Sequence, residues 1–351
     1  EFTEIMEAGM KRADWAGVDG RRAESAKRGK LHGVGMATYV EKCGGGGAEV
    51  ADVKFDTDND HITIYIGTVT NGQGHDTAYK QIMSDRLGVD TDNITLVQGD
   101  SDIVPPGMTG GSRSVTVGGV AVSKASEEII NKGRRVAAHV METAEADIDY
   151  ADTIFRVTGT DRTMSLFDIA RAATDPANLP EGLEPGLDEA YTHAPDVPTY
   201  PNGCHICELE VDPDTGVVEI DRYNMVNDFG TVVNPLLVEG QAHGGIVQGL
   251  GQALMENAIY DSEGQLQTGS YMDYAVPRAS DVPSFTFATH AVPATTNPLG
   301  AKGCGEAGCA GSLPSIMNAL VDALAPLGVK HIDMPATPEK VWAAIQQARA
   351  A

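Results

Sequence analysis

The chain has 351 residues, a formal net charge of -25, 42% hydrophobic residues and 5% aromatics, which gives room for about two domains and a sizeable core. Its acidity, with no basic face, argues against nucleic acid as a partner, and no apolar run approaches the roughly 18 residues that span a bilayer. The 40 glycines fall in clusters without a strict period, which excludes a fibrous repeat.

From the N-terminus, residues 1–30 read as a charged, solvent-facing helical lead-in carrying Phe2, Ile5, Met6 and Met10. The chain has no initiating Met, so it is expected to be a fragment or one product of a longer chain, and Glu1-Phe2 could be a cloning remnant. Leu31 to Val40 predicts a glycine-punctuated strand. A loop with Gly44 to Gly47 follows, then a hairpin: Ala48 to Phe55 and His61 to Ile66 alternate around the polar turn 56–60. This hairpin runs into Gly72-Gln73-Gly74-His75 and a helix to Leu87, with Ala78, Ile82, Met83 and Leu87 on one face. A short strand at Ile94 to Gln98 leads to Gly110-Gly111-Ser112-Arg113-Ser114 and a long helix from about Val115 to Glu145.

A subdomain boundary is expected between 150 and 200 on composition, dividing the chain into 1–30, 31–175 and 176–351. A second hairpin, His205 to Val211 and Val217 to Val226 around an Asp-Pro-Asp-Thr-Gly turn, leads into the Gly/Gln stretch 238–252 and an apolar helix to about Asn257. Hairpin, glycine stretch and helix thus occur twice, a weak internal repeat. Residues 282–296 read as strand and loop, and Asn297 to Gly308 sets Lys302 and Glu306 among four glycines. Helices are expected from Pro314 and from Pro338 to Ala348.

Five cysteines, an odd number, with no secretory signal point to free thiols in a reducing, cytoplasmic compartment. Cys204 and Cys207 have zinc-like spacing, but in a strand their side chains face opposite ways and no second pair follows. Cys304 and Cys309, flanking Glu306, read as small packing residues.

Glycine turns before helices offer free N–H groups and a positive dipole end to anions. Gln73 adds an amide, Ser112 and Ser114 hydroxyls, and Arg113 a guanidinium that could fork onto a phosphate. Taken singly, each turn reads equally as a small-residue cap, and His75 as a structural histidine. Together with Lys302 and Glu306 they point to one large phosphate-bearing ligand. No Ser-His-Asp set, His-x-x-x-His or cysteine cluster is apparent, so the hard chemistry is assigned to a cofactor.

Gly72 to His75, Gly110 to Ser114, Gly240-Gln241 through Gln248-Gly249, and Asn297 to Gly308 together resemble the molybdenum hydroxylase family, which includes xanthine dehydrogenase, aldehyde oxidoreductase and the large subunit of aerobic carbon monoxide dehydrogenase. The resemblance runs from about residue 25 to the end and is to the C-terminal half of the large subunit. It implies an α+β fold of two molybdopterin-binding subdomains, each a small mixed sheet or hairpin packed with helices. It implies molybdopterin cytosine dinucleotide with molybdenum and no direct protein ligand to the metal. Gly72, Gln73, Gly74, His75, Gly111, Ser112, Arg113, Ser114, Gln241, Lys302, Gly303 and Gly305 would bind the cofactor, with Gln73 and Gly111 near the metal. Glu306 matches the family's catalytic base for hydroxylation of an N-heteroaromatic or aldehyde carbon by water. Implied partners are the N-terminal molybdopterin-binding half, an iron–sulfur subunit, a flavin subunit and a small-molecule substrate. Carbon monoxide oxidation and a non-catalytic cofactor-binding or packing domain are the alternatives.

Overall fold

The computed structural model describes residues 1–350, which form two compact units interleaved along the chain. The first comprises 1–42, 200–293 and 304–351; the second comprises 43–199 and 294–303. The linear division at about 175 is therefore corrected. The chain leaves the first unit after its first strand and returns at Tyr200, so the strand at 31–40 groups with residues beyond 200.

The first unit is built on a four-stranded sheet of order β1-β9-β10-β11, with β1 Leu31–Val40, β9 Asn202–Val211, β10 Val218–Asp228 and β11 Phe285–Thr289. The first three are antiparallel neighbours, and β11 joins β10 in parallel. Side-chain alternation along β9 separates two apolar faces. Cys207, Leu209 and Val211 pack with Ile246 and Leu250 of α6 (Pro235–Leu254), Ile316 and Leu320 of α7 (Ala307–Leu324), and Val341 of α8 (Pro338–Ala350). Cys204 and Ile206 pack on the other face against Ile5 of α1 (Phe2–Arg12) and Ala13. The lead-in is thus not solvent-facing. Its apolar stripe closes the sheet, and α2 (Val18–Lys27) is tied down where Arg21 donates to the buried Glu208 at 2.7 and 2.9 Å.

His205, fully enclosed in this core, sits 2.8 Å from Tyr223 Oη at Nδ1 and 3.2 Å from Asn227 Oδ1 at Nε2. Nε2 faces the amide oxygen of Asn227, which only accepts, so Nε2 carries the hydrogen and Nδ1 accepts from Tyr223; Asn227 Oδ1 also accepts from Tyr39 at 2.8 Å. Burial pushes the imidazole pKa down to about 4. A base with a depressed folded pKa gives stability that is complete above its unfolded pKa and is lost as pH falls toward the folded one. Between pH 7 and pH 4, His205 is therefore expected to remove about 3 kcal/mol. Urea midpoints against pH for the native chain and His205→Asn check this; identical slopes would contradict it.

The second unit carries a sheet of order β4-β3-β2-β8, with β2 Glu49–Asp56, β3 His61–Ile66, β4 Ile94–Val97 and β8 Glu189–His193. The expected β2–β3 hairpin forms, with Ala51 opposite Ile66, and β4 pairs with β3 in parallel. Helices α3 (His75–Leu87) and α4 (Val120–Val140) pack on this sheet. A small antiparallel sheet, β5 (Ile148–Ala151), β6 (Ile154–Val157) and β7 (Thr163–Ser165), lies with α5 (Leu166–Ala172) near α4. The long helix expected from Val115 begins as a wider π turn over Ser114–Gly119 and becomes regular at Val120.

Two helix starts differ from expectation. Helix α6 begins at Pro235, so the Gly/Gln stretch 238–252 lies within the helix and not before it. Gly245 serves close packing with α7: a Cβ there would lie 2.9 Å from Cys309 N, and one on Gly308 of α7 would lie 2.3 Å from Ala242 O. Helix α7 starts at Ala307, seven residues before Pro314, which it carries internally.

Candidate functional site

In the second unit, three sequence-distant turns come together. The first, 71–74, connects β3 to α3, with Gly72 at φ 97° and Gly74 at φ 82°. Gln73 closes it from within: its Oε1 accepts from Thr70 Oγ at 3.3 Å and from the Asn71 N–H, and its Nε2 donates to Val69 O at 3.4 Å. The second turn places Gly111 at φ 58° and Ser112 at φ 54°, successive left-handed residues ahead of the π turn. A Cβ on Gly111 would meet nothing within 4 Å, so backbone angle and not crowding favours glycine there. The third turn ends at Lys302-Gly303, pressed so close that a Cβ on Gly303 would lie 2.4 Å from Ser112 O and 2.7 Å from Cys43 Cβ.

A buried polar lattice fixes the first two turns to each other. His75, 2% exposed, lies 2.8 Å from Ser114 Oγ at Nε2 and accepts from Gln98 Nε2 at Nδ1 over 3.1 Å. Gln98 Nε2 has only hydrogens to give, so His75 Nε2–H is the donor to Ser114. Burial lowers the His75 pKa, keeping the ring neutral. Tyr79 Oη donates to Ser114 O at 3.0 Å and lies 3.0 Å from Thr68 Oγ.

Arg113 corrects the sequence expectation most clearly. It is 2% exposed, and its guanidinium donates to Glu49 Oε2 at 3.0 Å, Met108 O at 2.8 Å, Gly47 O at 3.1 Å and Ala48 O at 3.2 Å. It is a clamp directed into the protein, not a fork directed at a ligand. His75 likewise acts from behind the turn. The groups left at the surface are the main chain of Gly72 and Gly111, with Gln73, Ser112, Ser114 and Lys302 partly accessible.

This surface suits an anion. In a chain of net charge -25, the segments 61–75, 103–126 and 282–305 contain no Asp or Glu. The donors are main-chain N–H groups, an amide, hydroxyls and one ammonium, a set that matches phosphate and polar heterocycle edges.

In the first unit, Glu306 is exposed at the N-cap of α7. The glycine contacts between α6 and α7 set the start of α7 beside the Gln241–Gly245 stretch of α6. Gly305 is exposed and Gln241 half-buried. Cys304 and Cys309 are half-buried thiols; burial pushes Cys304 up to about 12 and raises Cys309, so both stay protonated as packing groups. The loop Asn297–Gly308 is divided between the units, Lys302 and Gly303 belonging to the second and Gly305 and Glu306 to the first. Among the described residues no three His, Cys, Asp or Glu side chains form a metal-ligating group, and no helix is long and apolar enough to cross a membrane.

Sequence reasoning missed Glu49, Tyr79 and Gln98. Glu49 left a trace: it occupies an inward position, with Ala51 and Val53, at the head of an alternating strand. A carboxylate on a core-facing position requires a buried partner.

A family model described as molybdopterin cofactor-binding domain matches residues 8–283. The carbon monoxide dehydrogenase large chain of Hydrogenophaga pseudoflava is 35% identical over 95% of this chain and 43% of its own length. The nicotine 6-hydroxylase large subunit of Paenarthrobacter nicotinovorans is 36% identical over 97% of this chain and 43% of its own. The solved structure of reconstituted CO dehydrogenase from Oligotropha carboxidovorans superposes with a TM-score of 0.92 at 31% identity, over 100% of this chain and 46% of that one. The chain spans less than half the length of these relatives.

Proposed function

The chain belongs to the molybdopterin cofactor-binding domain family, and from that premise we propose that it is the cofactor-holding, base-bearing part of a molybdenum hydroxylase. The observation that carries this reading is that three carboxylate-free turns, 71–74, 110–114 and 299–303, meet around Ser112 to Ser114, which His75 reaches at 2.8 Å and against which Gly303 is pressed. Their donor set fits molybdopterin cytosine dinucleotide, whose phosphates and pterin edge need N–H, hydroxyl and amide partners. When bound, the cofactor supplies the redox chemistry. Gly72 to Gly74 and Gly111 to Ser114 hold it through main chain and hydroxyls, Lys302 supplies positive charge, and Gln241 contributes an amide. His75 and Arg113 brace these turns from inside the protein.

Glu306 is the base. Its carboxylate accepts a proton as water's oxygen is added to an N-heteroaromatic or aldehyde carbon. Similarity to the nicotine 6-hydroxylase large subunit favours the heteroaromatic substrate. Carbon monoxide oxidation is the second reading, favoured by similarity to the Hydrogenophaga large chain. The N-terminal molybdopterin-binding half, an iron–sulfur subunit and a flavin subunit complete the enzyme in the cytoplasm, where the five free thiols persist.

The test is metal and nucleotide analysis of the native assembly recovered through this chain. Molybdenum close to stoichiometric with the chain, and matching cytidine monophosphate after acid hydrolysis, are expected. An assembly that carries iron–sulfur and flavin but neither of these would overturn the reading.

A further inference from the structure

The segment from Glu256 to Arg278, between α6 and β11, carries six large apolar side chains in the open: Ile259, Tyr260, Leu266, Tyr271, Met272 and Val276. Tyr271 is 88% and Met272 92% exposed, the most exposed large hydrophobics of the chain. Single exposed apolar residues are ordinary, but six on one short segment are not.

The segment is held in shape by its own hydrogen bonds. Tyr260 bridges Leu266 across a tight turn, whose Asp261 Oδ1 accepts from the N–H groups of Glu263 and Gln265 at 2.9 Å each. Gln267 N–H donates to Ile259 O at 2.7 Å. Tyr274 Oη donates to Glu256 Oε2 at 2.7 Å, and Ser270 Oγ donates to Asp273 Oδ2 at 2.8 Å, closing the turn that displays Tyr271 and Met272. Aromatic and methionine side chains have the composition of interface anchors, and a backbone already closed by hydrogen bonds has less entropy to lose on docking.

We propose that this segment docks the complementary portion of the large subunit, the part of its relatives that this chain does not cover. This rests on the proposed function. The relatives carry 57% of their length outside the match, the complement of the 43% that is covered, so the uncovered portion of a relative is longer than this chain. Asp261, Glu263 and Asp273 are exposed on the same segment, so the docked surface is apolar with basic groups among or beside its apolar side chains.

The test places a photoreactive benzophenone amino acid at Tyr271 of the tagged chain in its native host. Cross-linking to a polypeptide that matches the uncovered portion of the relatives' large chains is expected. In a companion experiment, the double variant Tyr271→Ser with Met272→Ser should recover at least about tenfold less of that polypeptide, with the isolated chain's melting unchanged. Cross-linking to a second copy of this chain, to an iron–sulfur or flavin chain, or to nothing would overturn the proposal, as would unchanged recovery in the double variant. Molybdenum and cytidine content of the unsubstituted assembly reads out the proposed function independently.

Discussion

Glu306→Gln in the assembled enzyme is expected to lower turnover by about 10²–10⁴-fold or more, with molybdenum content nearly unchanged. Gln keeps the size and most hydrogen-bonding capacity of Glu but cannot accept a proton at the working pH. Glu306 is exposed at the N-cap of α7, and the contacts that fix that helix are made by Gly308, Cys309 and Ser312 with α6. The substitution leaves those helix contacts in place, so the variant is expected to fold. Turnover measured beside metal content separates a lost base from a lost cofactor. Full activity in the variant would remove Glu306 from the base role.

Arg113→Met is expected to cost the isolated chain about 3–5 kcal/mol at neutral pH. The guanidinium holds the Glu49 carboxylate and three main-chain carbonyls, with Arg113 2% and Glu49 0% exposed. Its loss leaves a buried carboxylate without its cation and orphans those carbonyls. Burial raises the Glu49 pKa, and Arg113 pulls it back down. Without Arg113 the upward shift grows. A carboxylate whose folded pKa lies above its unfolded value is destabilising when ionised, so the cost of the variant should shrink as pH falls and Glu49 takes up a proton. Adding Glu49→Gln should recover part of the loss at pH 7. Urea denaturation of the single and double variants checks both statements; a wild-type midpoint in the single variant would contradict the clamp.

Much of this architecture is legible in the sequence because the hairpins are short-range objects. Alternation around 56–60 and 212–216 specifies β2–β3 and β9–β10 with little help from the rest of the chain. The opposed faces of Cys204 and Cys207 follow from strand periodicity alone. What escapes is what depends on distant partners. The stretch 238–252 looks like a turn because glycine is a poor helix former, yet it lies inside α6 because its small residues admit α7. Arg113 looks like a phosphate ligand because nothing local reveals Glu49, 64 positions away in the sequence. Partition into two interleaved units is likewise a product of long-range pairing, β1 with β9 across the whole second unit.

The resemblance points to the glycine turns and Glu306, and the structure shows how the turns of the second unit are braced. The second unit presents main chain, hydroxyls and one lysine outward while the cationic and aromatic side chains work from within. Such a division suits a ligand that must be held closely by the backbone, with its supports locked by packing.

The most direct test of the account is a structure of the assembled enzyme with its cofactor in place. Anionic and pterin-edge atoms are expected within about 3 Å of main-chain N–H groups in the turns Gly72 to Gly74 and Gly111 to Ser114. A cofactor seated wholly on other polypeptides, with these turns in solvent or against protein, would contradict it.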